Sequence, residues 1–201
     1  MTKARVVSLT ELGGADVIQL IDKELPPPAK GEVQIRQTAI GFNFIDVYQR
    51  SGYYPLELPT GLGHEAAGVI EAIGEGVTDF KVGDHVVYMN AGIGAYASAR
   101  NITADKLVLL PSNISDEVAA AVFFKAMTAQ YLVQKTYKVK AGDVVLVHAA
   151  AGGVGQILAG WAKALGAFVV GTVGSPAKFA AAKEAGCDAV VDYSQPNWVE
   201  E

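Results

Sequence analysis

One cysteine, Cys187, stands in 201 residues. Its isolation excludes an internal disulfide and any zinc site built from several thiolates, and it points to a reducing, cytoplasmic setting. Charge is also sparse. Charged residues make up 18% of the chain, the net charge is −5 and there is no long basic run, so nucleic acid is not the expected partner. No apolar stretch reaches the length that spans a bilayer, roughly 20 residues. The opening MTKARVVSLTELGG follows a short apolar patch with acid and glycine, which is not the pattern of a signal peptide. Hydrophobic residues reach 51% and mean hydropathy is +0.26, so no disorder is expected. The expected product is a soluble chain of one large or two small domains.

Glycine is plentiful, and its most informative cluster is VVLVHAAAGGVG at 144–155. An apolar strand runs into the turn AAAGGVG and then into the helical QILAGWAKALG. Such a turn holds a dinucleotide phosphate. Gly152 admits close backbone approach, Gly155 lets helix pack on strand, and the helix N-terminus offers free N–H groups and positive potential. Ala151, Gly153 and Val154 complete the candidate cradle. The first glycine of the usual G-x-G-x-x-G is Ala150 here.

The chain has two rhythms. Segments 4–9, 17–21, 33–40, 66–73 and 84–89 are short, alternating or β-branched, and punctuated by Gly and Pro. They predict a compact, partly open barrel, with tight turns at 74–77 and 81–84 and a short helix over 43–50. From Ser115 the period becomes helical through Lys135. Strand 144–148, helix 154–165, strand 167–173, helix 176–185 and strand 188–193 follow. The result is an α/β chain: a barrel over 1–122, then β-α-β-α-β over 123–201, the first half of a Rossmann doubly wound parallel sheet in order 3-2-1. The chain stops at NWVEE, where a further helix would begin. A C-terminally truncated fold is therefore expected, with strand 144–148 as an exposed apolar edge.

The second Rossmann strand ends GTVGSPAK, with Thr172, Gly174 and Ser175 but no acid. An acid there holds the ribose 2′-hydroxyl of NAD; its absence removes repulsion against a 2′-phosphate. Lys178 supplies a cation that could reach that phosphate. NADPH is the expected cofactor.

Five stretches together resemble the quinone oxidoreductase (zeta-crystallin-like) branch of the medium-chain dehydrogenase/reductase superfamily. They are AIGFNFIDVYQRSGYYP (39–55), GLGHEAAGVI (61–70), FKVGDHVVY (80–88), HAAAGGVGQ with WAKALGA (148–167), and GTVGSPAKFAAAKEAG (171–186). The resemblance implies a GroES-like catalytic domain ahead of the Rossmann half, and NADPH-dependent reduction of a quinone or similar small planar acceptor. It implies that Asn43, Tyr48 and Tyr54 line the catalytic cleft, with Phe44, Ile45 and Asp46 facing the cofactor. It further places Lys125 and Thr128 near the nicotinamide, with Tyr131, one turn further on, as a further cofactor candidate, and Tyr193 near the adenosine phosphate. Family members are longer and commonly homodimers; some serve as lens proteins or bind RNA, so a non-catalytic binding protein is the alternative. Zinc alcohol dehydrogenases, cousins in the superfamily, carry a cysteine where this chain has Asn43. Their cysteine-rich loop is replaced here by AGIGAYASARN after residue 90. No metal is expected, and His64 enters the catalytic candidates as a hydrogen-bonding group.

Overall fold

The computed structural model describes residues 1–198. The chain divides into two units, Met1–Phe124 and Lys125–Glu201.

The first unit is built on an antiparallel sheet of five strands, ordered β6 (Ala99–Thr103), β3 (Glu32–Gly41), β4 (Glu65–Ile73), β5 (His85–Met89) and β7 (Leu107–Leu109). A separate hairpin joins β1 (Thr2–Ser8) to β2 (Gln19–Leu25). Alternation along the strands sends Val33, Ile35, Ala66, Ile70, Val86 and Tyr88 into one fully buried cluster. The opposite face of β4 and β5 presents Ala67 and Val87 to Ala119 and Ala120 of α2 (Asp116–Tyr131). Small residues on both sides let this helix approach the sheet closely.

Strands β6 and β7 are absent from the sequence expectation. The sequence of β6, ARNIT, has no apolar alternation of its own, and it becomes a strand by pairing along Glu32–Arg36 of β3. The helix expected through Lys135 leaves α-helical geometry after Tyr131 and widens into a π turn over Leu132–Thr136, closed by the Tyr137 N–H on the Leu132 carbonyl.

α2 starts under two local constraints. The Ser115 hydroxyl accepts the Val118 N–H at 3.3 Å, and Asp116 and Glu117 place negative charge in the first turn. Asp116 also meets His85 Nδ1 at 2.8 Å and accepts the Thr38 hydroxyl, tying helix to sheet. Burial pushes its carboxyl up, but the Thr38 and His85 hydrogen bonds and the charges of His85 and Arg36 outweigh this and hold it below the usual carboxylate range. A group depressed in the folded state stabilises above its unfolded pKa, and that contribution is lost as pH falls through the folded one. Asp116→Asn is therefore expected to lower Tm near neutrality, with the gap to the unmodified protein closing below about pH 4. A gap that persists unchanged in thermal melts at about pH 2.5 refutes the assignment.

The second unit carries three parallel strands in the order β10 (Ala189–Asp192), β9 (Phe168–Val173), β8 (Val144–Val147). The 3-2-1 order expected from the sequence is present. α3 (Gly153–Ala164) packs Ala159 and Ala162 on Val147, Val169 and Val173, and α4 (Phe179–Glu184) adds Ala182. α3 stops at Gly166, whose φ of +88° is the left-handed conformation that ends a helix. The helix expected over 176–185 is split: Pro176–Lys178 form a 3-10 turn and α4 begins at Phe179. Among the described residues β8 pairs only with β9, and Val144 and Leu146 are exposed. The helix start expected at NWVEE falls partly on residues 199–201, outside the described residues.

Candidate functional site

Each unit holds one group of candidate residues. In the second unit, β8 leads through His148 and Ala149 into the glycine turn. The left-handed residue of the turn is Ala149, at φ +51°, and its carbonyl accepts the Gly152 N–H at 2.8 Å. Ala150 is fully buried and takes no outward position. Its methyl is accommodated by Gly171 on β9, where an added Cβ would stand 2.8 Å from Ala150 Cβ and 2.6 Å from Cys187 Sγ. Gly155 is a steric requirement, since a Cβ there would stand 2.3 Å from the Ala149 carbonyl oxygen. Gly152 is not: its φ is −82°, and the one neighbour of its Cβ position is Ala149 O at 3.1 Å. Its bareness leaves backbone open to a ligand. Gly153, Val154 and Gly155 form the first turn of α3, where N–H groups have no intrahelical acceptor. The aliphatic stem of Lys125 lies across Gly153, with Cδ 2.9 Å from its Cβ position. Thr128 is half-buried and Tyr131 exposed on the same helix.

At the end of β9, Thr172 is buried and its hydroxyl lies 3.0 Å from His148 Nδ1, so that side chain is held within the protein. His148 is a residue the sequence reading missed. Gly174 lies against Tyr193: a Cβ on it would stand 2.7 Å from the phenol oxygen. Ser175 opens the 3-10 turn, and the Lys178 N–H closes on its carbonyl at 3.1 Å. Gly174, Ser175, Lys178 and Tyr193 thus share one corner that contains no acid from the strand end. Lys178 is exposed and makes no salt bridge among the described residues.

In the first unit, Asn43 precedes α1 (Phe44–Arg50). Asn43 is buried; its N–H donates to Asp46 Oδ2 at 2.9 Å and its amide Nδ2 to Glu65 Oε2 at 3.0 Å. Asp46 is buried and also accepts the Tyr96 hydroxyl at 2.9 Å. Burial, that hydrogen bond and the Asp46 charge push the Tyr96 pKa well up, so the phenol stays a donor. Neither Asn43 nor Asp46 presents itself at the surface, and Ile45 is half-buried. What does present itself is a set of rings. Phe44, Tyr48, Tyr53 and Tyr54 are exposed and packed mutually, with Tyr48 5.0 Å from Phe44 and from Tyr53 and 5.5 Å from Tyr54. Tyr53, the most exposed of them, is missing from the sequence candidates. His64 donates its Nε2–H to Gln49 Oε1 at 2.9 Å. Among the described residues, no three of His, Cys, Asp or Glu gather where they could hold a metal ion, and no helix is long and apolar enough to cross a membrane.

Residues 29–112 match the family described as alcohol dehydrogenase GroES-like domain, and residues 153–201 match the one described as zinc-binding dehydrogenase. A quinone oxidoreductase of Salmonella typhimurium is 51% identical over 94% of this chain and 58% of its own length. A 2-haloacrylate reductase from a Burkholderia species is 44% identical over 94% of this chain and 58% of its own length. The crystal structure of Escherichia coli quinone oxidoreductase complexed with NADPH superimposes with a TM-score of 0.94 at 48% identity, covering 98% of this chain and 60% of that one. The chain spans somewhat under three fifths of the curated relatives it matches. With a match to the alcohol dehydrogenase GroES-like domain ahead of one to the zinc-binding dehydrogenases, the chain is similar to quinone oxidoreductases over 94% of its length.

Proposed function

We propose that the protein carrying this chain reduces quinones or similar conjugated carbonyl compounds with NADPH, in the cytoplasm and without a metal. The observation that carries the reading is that β9 ends without an acid of its own at the corner of Gly174, Ser175, Lys178 and Tyr193, which suits a 2′-phosphate, the nearby Asp192 at the end of β10 being buried. The NADPH-bound Escherichia coli relative supports it.

Bound NADPH supplies a hydride. The N–H groups of Gly153, Val154 and Gly155 bind the pyrophosphate, and the Lys178 ammonium and Tyr193 phenol bind the 2′-phosphate. Lys125, Thr128 and Tyr131 serve the nicotinamide end. Tyr48 and Tyr54 offer phenol donors to an acceptor oxygen and ring faces to a flat acceptor. Asn43 and Asp46 act beneath them as framework. Zinc does not fit the donor set: Asn43 is a poor ligand, and both Glu65 oxygens already accept N–H groups, from the Asn43 amide and the Phe124 backbone.

The test is NADPH oxidation by chelator-washed protein with 1,4-benzoquinone. Turnover is expected, and Tyr54→Phe should lower it about tenfold, the low end of the range for a proton-donating group. A loss near a thousandfold would make Tyr54 an essential proton donor. A conjugated carboxylic acid is the second acceptor class, favoured by the name of the Burkholderia relative, and 2-chloroacrylate in the same assay separates the two. Oxidation with neither acceptor overturns the reading.

A further inference from the structure

The two adjacent residues His64 and Glu65 reach different ends of one short helix. Glu65 opens β4 and is fully buried. Its Oε2 accepts the Asn43 amide at the start of α1, and its Oε1 accepts the Phe124 backbone N–H in α2. His64 donates to Gln49 in the last turn of α1, and its ring stacks on Phe124 at 6.5 Å with 17° between planes. There is no slack beside the carboxylate. A Cβ on Gly41 would stand 2.3 Å from Glu65 Oε2 and 2.4 Å from the Ala120 carbonyl.

We propose that His64 and Glu65 are positioning residues, a two-point clamp that fixes α1 against Phe124 and so sets the place of the Phe44–Tyr48–Tyr53–Tyr54 rings that receive the acceptor. The proposal rests on the acceptor reading above for its catalytic consequence, but the clamp itself does not. A seven-residue helix is too short to hold its own geometry in water. Its anchors must come from outside, and those seen here bind at both ends. A carboxylate suits the Glu65 position because it faces two N–H donors and only an acceptor can serve both.

That donor logic gives the test. Glu65→Gln turns one acceptor into a donor, setting N–H against N–H at Asn43 or at Phe124. The double variant Glu65→Gln with Asn43→Asp restores the pairing: the new amide donates to the new carboxylate, while its oxygen still accepts from Phe124. In Glu65→Gln the acceptor KM is expected to rise about tenfold, the scale of one buried mismatched donor, with NADPH affinity within about twofold. Hydrogen exchange of the α1 amides should quicken by a similar factor while that of β4 holds. The double variant should recover both to within about threefold. Unchanged KM and exchange in Glu65→Gln overturn the clamp, and so does a double variant that recovers neither. If Glu65→Gln fails to fold, the double variant decides: recovery of folding, exchange and KM supports the clamp, and failure to recover them overturns it. Absence of quinone reduction by the unmodified protein would remove the acceptor chemistry and leave α1 exchange alone to decide.

Discussion

Lys178→Ala is expected to weaken NADPH binding by about tenfold to a hundredfold and to leave NADH binding within about twofold. The magnitude is that of one charge-assisted hydrogen bond to a phosphate, roughly 1.5–3 kcal/mol, at about 1.4 kcal/mol per tenfold. Three features favour the upper part of that range. The ammonium has no carboxylate partner to give up among the described residues. Its backbone is fixed by the 3-10 turn that begins at Ser175. The Tyr193 ring, seated against Gly174, walls the same corner. NADH has nothing for Lys178 to bind, so the variant should cost it little. Isothermal titration with both nucleotides decides the matter, and an equal loss for the two would sink the 2′-phosphate assignment.

Gly155→Ala should lower Tm by about 5–10 °C, the result of roughly 2–3 kcal/mol at 2–4 °C per kcal/mol for a chain of this size. In an ordinary helix this exchange stabilises by up to about 1 kcal/mol. Here the new methyl would meet the Ala149 carbonyl oxygen at 2.3 Å and Ala150 Cα at 2.8 Å. Both are backbone, in a turn that already holds Ala149 at positive φ, so neither can swing aside as a side chain would. Gly152→Ala is the control. It meets one atom at 3.1 Å, and its melt should stay near that of the unmodified protein. Thermal melts showing equal losses for the two would mean that Gly155 packs more loosely than its neighbours indicate.

The Rossmann half was legible because its strands are apolar runs that need little outside help, separated by glycines with one function each. The barrel was half legible. ARNIT and LVL carry too little pattern to declare themselves, and they become strands because β3 and β5 offer free edges. Among the candidate residues, the glycine turn and the local setting of Lys178 could be located from spacing, since a strand, a turn and a helix fix where the backbone N–H groups lie. Glu65 could not be valued that way. Nothing in GHEAAG says that its two oxygens will face the amide of Asn43 and the N–H of Phe124. His148 and Tyr53 were missed for a related reason: the contact that gives each a role comes from a residue that folding brings beside it.

Ala150 carries a lesson about how such sites diverge. A fingerprint written along one strand treats the missing first glycine as a defect, yet the space that glycine would have left is supplied by Gly171 on the neighbouring strand. The constraint is shared by three positions, because a methyl on residue 171 would also meet Cys187 Sγ at 2.6 Å. Among homologues, residues 150, 171 and 187 should therefore covary, with an alanine at 171 expected only where both 150 and 187 are smaller. A search for the motif as a linear string would overlook such chains, whereas a search for the summed volume at these three facing positions would find them.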